Sequence, residues 1–420
     1  MGEDWYKLDN VAKVFLATHN KRDTRSIRVS CVLKDEVDPE ALQKALDNTI
    51  ILRPQFQVRI RRGFFWHYLE RTDRQPVVEP EELRPCPILY GPNYRGVLHY
   101  KVTYYGKRIN VDMFHAIGDG TGALNFLYLL VLEYLKIIHP GDFDEVSLSK
   151  SVTSDDRFQN SYSHFYDNSD GPVPKTILNK KKNAYHIQSR KLSYDQLQFF
   201  EVHMEADKLL AVSKELGVSL TGYLGALLMM SIYKGMPFTH RRKQITISMP
   251  VNLRNYYPSD TLRNFFNSVD VSHVFDGNET VPELAHEFNR ALKEATQTEA
   301  IKKQMNRYQS IERLFFTRMV PLVIKQPVVR MFAKKEAKTV TAVLSNLGQV
   351  KIPDKMKEYV AGFTDFCSTD KLFITVTSYD NDIVFGVASA YSGTGVITRL
   401  ISMLKETGTT VKLYASDVIN

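Results

Sequence analysis

In VDMFHAIGDGTGALNFLYLL, beginning at Val111, His115 stands four residues before Asp119 among Gly118, Gly120 and Gly122. The preceding apolar residues Ile109, Val111 and Met113 alternate, and by a period of two His115 continues their face at a strand's end. An imidazole in that position is uncharged near neutral pH and can take a proton from a hydroxyl or an amine. The neighbouring glycines would leave a ligand room to approach the backbone. The same ring could instead pack over the following helix with its nitrogens satisfied by backbone groups. Asp119 has three chemistries open to it: capping that helix, pairing with an arginine, or ligating a metal. No third His, Cys or carboxylate lies nearby at a known ligand spacing, so no metal is expected. The run from Gly118 to Ala123 formally fits the dinucleotide pattern G-x-G-x-x-A. That pattern needs a second strand after the helix, ending in an acidic residue ~20 positions on. The polar HPGDFDEVSLSKSVTSDD follows instead, so the match is accidental. A G-x-S-x-G nucleophile elbow and a C-x-x-C pair are both absent.

Patterning predicts the elements that must position these residues. A β-rich stretch from Ile27 to Leu33 precedes a helix with Asp38 as N-cap, Pro39 at its first position and Pro54 as its stop. Hairpins follow over QVRIRRGFFWHYLE and over Val97–Phe114, with Gly106 at the second turn. From Pro140 to about Ser189 the chain is polar and aperiodic, a long connection whose Lys180–Lys182 run reads as solvated charge. Beyond it, Gln198–Met204 reads as a strand, Asp207 as the N-cap of a helix ending at Gly217, and Thr221 as the start of a buried helix. QITISMPVNLR reads as an inner strand. The basic, amphipathic FFTRMVPLVIKQPVVRMFAKK is expected to cover the core rather than to touch a membrane, because Pro321 and Pro327 interrupt its apolar face. Two α/β halves result.

Over 420 residues, 43% are apolar and 24% charged, ample material for a core. The net charge of +8 is spread along the chain, which favours a mildly anionic ligand over nucleic acid. Cys31, Cys86 and Cys367 are too few and too scattered for a disulfide framework or a zinc site. The opening MGEDWYKLDN has no signal-like basic or apolar region, and the apolar run Leu124–Ile138 is short for a span of ~20 residues. A cytoplasmic protein without a transmembrane segment is expected.

FHAIGDG resembles the H-x-x-x-D-G signature of the chloramphenicol acetyltransferase-like superfamily, which holds CoA-dependent acyltransferases, alcohol acetyltransferases and condensation domains. ISMPVNLRNYYPSDTLRNFFNSVDVS resembles its later block, a strand leading to P-x-x-x-R and then N-F-x-N. VLSNLGQV resembles the Ser-Asn-x-Gly strand end of alcohol acetyltransferase-like members, and block order agrees along nearly the whole chain. The resemblance is nearest to the bacterial alcohol acetyltransferase-like proteins. It implies an α/β fold of two lobes, each a mixed β-sheet with flanking helices, with a tunnel between them. The expected division is an N-terminal lobe over 1–165, a linker over 166–190 and a C-terminal lobe over 191–420.

The same resemblance implies an acyltransferase in which His115 is the general base and no acyl-enzyme forms. Asp119 would pair with Arg254 and, with Gly120, support the histidine loop. Ser345 and Asn346 would bond the oxyanion or the donor arm, and the glycines would let acyl chain or pantetheine pass. Acyl-CoA would be co-substrate beside a small-molecule acceptor, with no permanently bound cofactor; a monomer is compatible with this. Phe114 fills the place where many relatives carry a first histidine, and SNLG replaces the D-F-G-W-G block of plant acyltransferases. The first departure weighs against a condensation domain. A catalytically silent two-lobed binding module and a condensation-type domain using a carrier-bound donor are the alternatives.

Overall fold

The computed structural model describes residues 5–81, 84–94, 96–143, 160–167, 181–193, 196–313 and 320–415, with side chains omitted over 307–313. Most of the expected linker, 168–180 with Lys180, and residues 315–319 of the amphipathic segment lie outside these.

Three sheets organise the described residues. The first has the order β12-β2-β7-β6-β5, from Val360–Cys367, Ser26–Leu33, Arg108–Phe114, Tyr100–Tyr105 and Val78–Pro80. The second has the order β10-β9-β11-β13-β14-β8-β15, from Phe266–His273, Ile245–Asn252, Ala342–Gln349, Leu372–Tyr379, Asp382–Ser389, Gln198–Glu205 and Val411–Ala415. A small sheet joins β1 (Trp5–Lys7), β4 (His67–Arg71) and β3 (Val58–Arg62). Both large sheets mix parallel and antiparallel pairs.

The helices are α1 (Asn10–Thr18), α2 (Pro39–Leu52), α3 (Gly120–Ile138), α4 (Ser161–His164), α5 (Ala206–Glu215), α6 (Leu220–Tyr233), α7 (Val281–Ala295), α8 (Thr298–Arg313), α9 (Leu322–Ala337), α10 (Asp354–Lys357) and α11 (Gly395–Lys405). Asp38 caps α2 by accepting from the Glu40 and Ala41 amides, and Leu42, Ala45, Leu46, Thr49 and Ile50 are its buried face. α3 is long and apolar enough to cross a bilayer. It lies instead in the first lobe's core, against α2 and β2. A second core fills the other lobe around α6.

One strand crosses the expected division at 166–190. β12 belongs to the C-terminal half of the sequence yet pairs with β2 in the first lobe. It also lies on the second lobe, where the Thr375 hydroxyl donates to the Asp365 carbonyl at 2.6 Å. Arg108 of β7 reaches across as well, bonding both carboxylate oxygens of Glu201 on β8.

Three local expectations are corrected. α5 begins at Ala206, one residue before the expected cap Asp207. Asn381 from the β13–β14 turn satisfies the Ala206 and Asp207 amides from outside, which removes the need for a local cap. α6 is capped by Ser219 rather than opened by Thr221, the Ser219 hydroxyl accepting from the Gly222 amide. α9 buries only Leu322, so it does not cover the core. The Lys180–Lys182 run is partly engaged, since Lys181 pairs with Asp270 and Glu336.

Candidate active site

β7 ends at Phe114, and the His115 amide extends its ladder by donating to the Arg25 carbonyl at 2.8 Å. Arg25 holds a left-handed φ of 55°, uncommon for a non-glycine residue. The chain turns over Ala116–Gly118 into α3, whose N-cap is Asp119. The His115 ring faces the cleft between the lobes, packed against Phe15 (ring centroids 4.4 Å apart) and Phe266 (5.6 Å). With its open mouth counted, the cleft holds about 640 Å³ of empty space. His115, Asp119 and Gly120 line it from the first lobe, and Ser345 and Asn346 from β11 of the second.

Asn264 sets the state of the histidine. Its amide nitrogen donates to the His115 carbonyl at 2.8 Å and to Asp9 at 3.3 Å, which fixes the amide's orientation. The Asn264 carbonyl oxygen therefore faces His115 Nδ1 at 3.0 Å and can only accept, so the proton sits on Nδ1. Nε2 is left with its lone pair, the form a base requires. Burial pushes the His115 pKa below the ordinary histidine value, against the opposing effects of Asp119 and the Asn264 bond; Arg25 lowers it further. The ring is thus neutral at neutral pH.

Asp119 serves two of the purposes its position allows. One oxygen accepts from the Gly122 amide at 2.9 Å, capping α3. The other accepts from Arg254 at 2.8 Å and from the Phe265 amide at 2.9 Å. Arg254 in turn donates to Asn252 and to the carbonyls of Thr261 and Arg263. The pair is nearly buried, and it ties the histidine loop to the loop preceding β10.

Gly122 is not a passage for a ligand, whereas Gly120 lines the cleft beside Leu347. A Cβ on Gly122 would lie 2.1 Å from the Leu262 carbonyl oxygen, and one on Gly120 would lie 2.9 Å from the Leu347 side chain. The second lobe occupies the space Gly122 leaves, so that glycine permits close approach of protein to protein. Gly122→Ala is expected to destabilise by about 1–3 kcal/mol, because backbone must move to accept the methyl. Chemical denaturation measures this, and an unchanged midpoint would show that the loop yields freely.

Ser345 and Asn346 differ in availability. The Asn346 amide nitrogen donates to Thr221 and its oxygen accepts from the Gly348 amide, both at 2.8 Å, bracing a bulge in β11. Among the described residues no hydrogen bond engages the Ser345 hydroxyl. Sequence reasoning did not single out Asn264, Asp9 or Asp365. Asn264 lay within the quoted RNFFN block and was the legible one of the three. Asp365 lines the cleft from β12, and burial lifts its pKa to about 7 although Thr377 and Thr375 oppose the shift. No group of three or more metal-ligating side chains occurs among the described residues.

No protein-family model matches this chain, and no curated protein matches it in sequence. Solved structures match its fold over nearly the whole length. Polyketide synthase associated protein 5 from Mycobacterium tuberculosis aligns with 95% of this chain and 97% of its own, at 14% identity and a TM-score of 0.62. The trichothecene 15-O-acetyltransferase TRI3 from Fusarium sporotrichioides aligns over 97% and 96%, at 10% identity and a TM-score of 0.63. This is the chloramphenicol acetyltransferase-like fold. A variant of the starter condensation domain of rhizomide synthetase, solved with C8-CoA and Leu-SNAC, aligns over 96% and 94% at 10% identity and a TM-score of 0.62. Acyltransferases and condensation domains thus share this fold, and at such identities only the site itself separates their chemistries.

Proposed function

We propose that this protein is a CoA-dependent acyltransferase that carries an acyl group from acyl-CoA to an alcohol or amine, with His115 as general base. The observation that carries this reading is the Asn264 amide, which holds the ring in the tautomer with a free Nε2 lone pair inside the interlobe cleft. A silent binding module would have no use for a histidine so oriented and kept neutral.

The acceptor's hydroxyl or amine gives a proton to Nε2 as its oxygen or nitrogen attacks the thioester carbonyl. The carbonyl π electrons move onto oxygen, forming a tetrahedral oxyanion. The Ser345 hydroxyl is a free donor in the cleft for that oxygen or for the donor arm. Collapse breaks the C–S bond, and the departing thiolate recovers the proton from the imidazolium. No bond to the protein forms. Asp119 and Arg254 act on geometry, bracing the loop that carries the histidine. Asp365 gives the cleft one further polar group.

Asn264→Leu removes the contact that fixes the tautomer while keeping volume. Transfer is expected to fall by about 10²-fold through loss of ring orientation. The acid limb of the pH profile is expected to move to lower pH, because the Asn264 bond favours the protonated ring. A limb that stays in place would show that Asn264 does not act on the base.

The reading is tested by release of free CoA thiol from acetyl-CoA and a longer acyl-CoA across a panel of alcohols and amines. Acceptor-dependent release supports it. Thermal stabilisation by a ligand without turnover of any acyl-CoA would instead favour the binding module. Transfer only from a carrier-bound donor would favour the condensation-type activity.

A further inference from the structure

Helix α9 presents an apolar face to solvent. Val323, Ile324, Val328, Met331 and Phe332 are 43–65% exposed, and at i, i+1, i+5, i+8 and i+9 they form one stripe along the helix. Its opposite face is strapped to the first lobe. The Leu322 amide donates to the Phe64 carbonyl, Lys325 to the Phe65 carbonyl and Arg330 to the Ala17 carbonyl. The first two bonds set the start of α9 beside the tip of the β3–β4 hairpin, where Phe64 is 70% and Trp66 47% exposed. Aliphatic and aromatic surface therefore continues from the hairpin tip onto the helix.

The charge around this surface is mainly positive. Residues 322–338 carry Lys325, Arg330, Lys334, Lys335 and Lys338 against Glu336 alone, and at the hairpin Arg62 is exposed while Arg61 pairs with Glu70. Lys334 and Lys335 sit in the helix's last turn with no carboxylate partner among the described residues. A helix of 16 residues with Pro327 inside it is too short and too interrupted to span ~20 apolar residues of bilayer. An apolar stripe with aromatic residues beside it and lysines at one end is instead what lies in the plane of a lipid–water interface. Basic side chains at the rim complement anionic headgroups.

We propose that α9 and the β3–β4 hairpin tip form a docking surface for an anionic phospholipid membrane, with the apolar stripe entering the interface and the lysines meeting phosphate and carboxylate headgroups. The protein attaches peripherally, with no segment crossing. This rests on surface geometry and not on acyl transfer, so either can fail without the other.

Flotation of the full chain with vesicles tests it, comparing equimolar phosphatidylcholine–phosphatidylserine with phosphatidylcholine alone. Binding to the anionic vesicles is expected, weakening as salt screens the lysines. Met331→Glu with Phe332→Glu is expected to abolish flotation. Lys334→Ala with Lys335→Ala is expected to weaken it by about fivefold for each charge lost. All four side chains are exposed, and unchanged thermal unfolding confirms that the variants fold. Absence of flotation in the wild type would overturn the proposal, as would flotation that survives the Met331 and Phe332 changes. A dimer in solution that those changes dissolve would assign the face to a second copy and also overturn it.

Discussion

Replacing His115 by alanine is expected to lower kcat/KM for acyl transfer by about 10²–10⁴-fold, the usual worth of a positioned general base. The loss belongs mainly in kcat, since the imidazole acts on a proton that moves only as the acceptor attacks. Residual transfer should persist, because two substrates held in one cleft still gain from proximity. His115 touches its neighbours through Phe15, Phe266 and Asn264, so truncation leaves a small gap rather than an unpaired charge. The fold should therefore survive, and circular dichroism with steady-state kinetics separates the two effects. Equal kcat/KM in wild type and variant would remove His115 from the chemistry.

The second large effect is structural. Arg254→Met would leave the Asp119 carboxylate nearly buried without its cation and strip donors from the Thr261 and Arg263 carbonyls. Breaking such a pair from one side costs about 3–5 kcal/mol. That is a large part of the 5–15 kcal/mol of an ordinary domain. Arg254→Lys should rescue poorly, because one ammonium cannot reproduce a planar fork shared among a carboxylate, a side-chain amide and two carbonyls. Asp119→Asn disturbs the same joint from the other side by placing an amide where Arg254, Gly122 and Phe265 all donate. In each variant the denaturation midpoint should drop. The surviving activity of Arg254→Met should keep the wild-type pH profile, whereas Asp119→Asn should also move the acid limb to lower pH, because the Asp119 charge favours the protonated ring. An unchanged midpoint would show that the pair does not brace the loop.

These two expectations differ in how far the sequence disclosed their basis. The His115–Asp119 spacing and the second block with Arg254 were visible as motifs, and the structure brings Asp119 and Arg254 into contact. Strand and helix placement was legible where local chemistry decides it, as at Asp38–Pro39 and at the Gly106 turn. It failed where a distant residue supplies what a local one usually does. Asn381 serves the amides of α5 from another hairpin, which no spacing reveals. The crossing of β12 into the first sheet was likewise invisible, because an apolar strand carries no record of its partner. Gly122 misled for a related reason. A missing side chain marks a close approach, but not whether ligand or protein makes it, and here Leu262 does. Asn264 was in view within RNFFN, yet its bond to the ring depends on how Asp9 and the His115 carbonyl hold its amide. For α9, amphipathic periodicity was legible, but not which face the lobe would cover.

The pH dependence of kcat/KM with one acyl-CoA and one responsive acceptor, measured for wild type and His115→Ala, tests the role of His115 most directly. Burial favours the neutral ring, so activity in the wild type should fall only below the ordinary histidine value of about 6.5, as the base takes up its proton. The residual activity of His115→Ala should lack that limb. An acid limb near 7 that persists in the variant would point to Asp365 instead and contradict the assignment of His115 as the base.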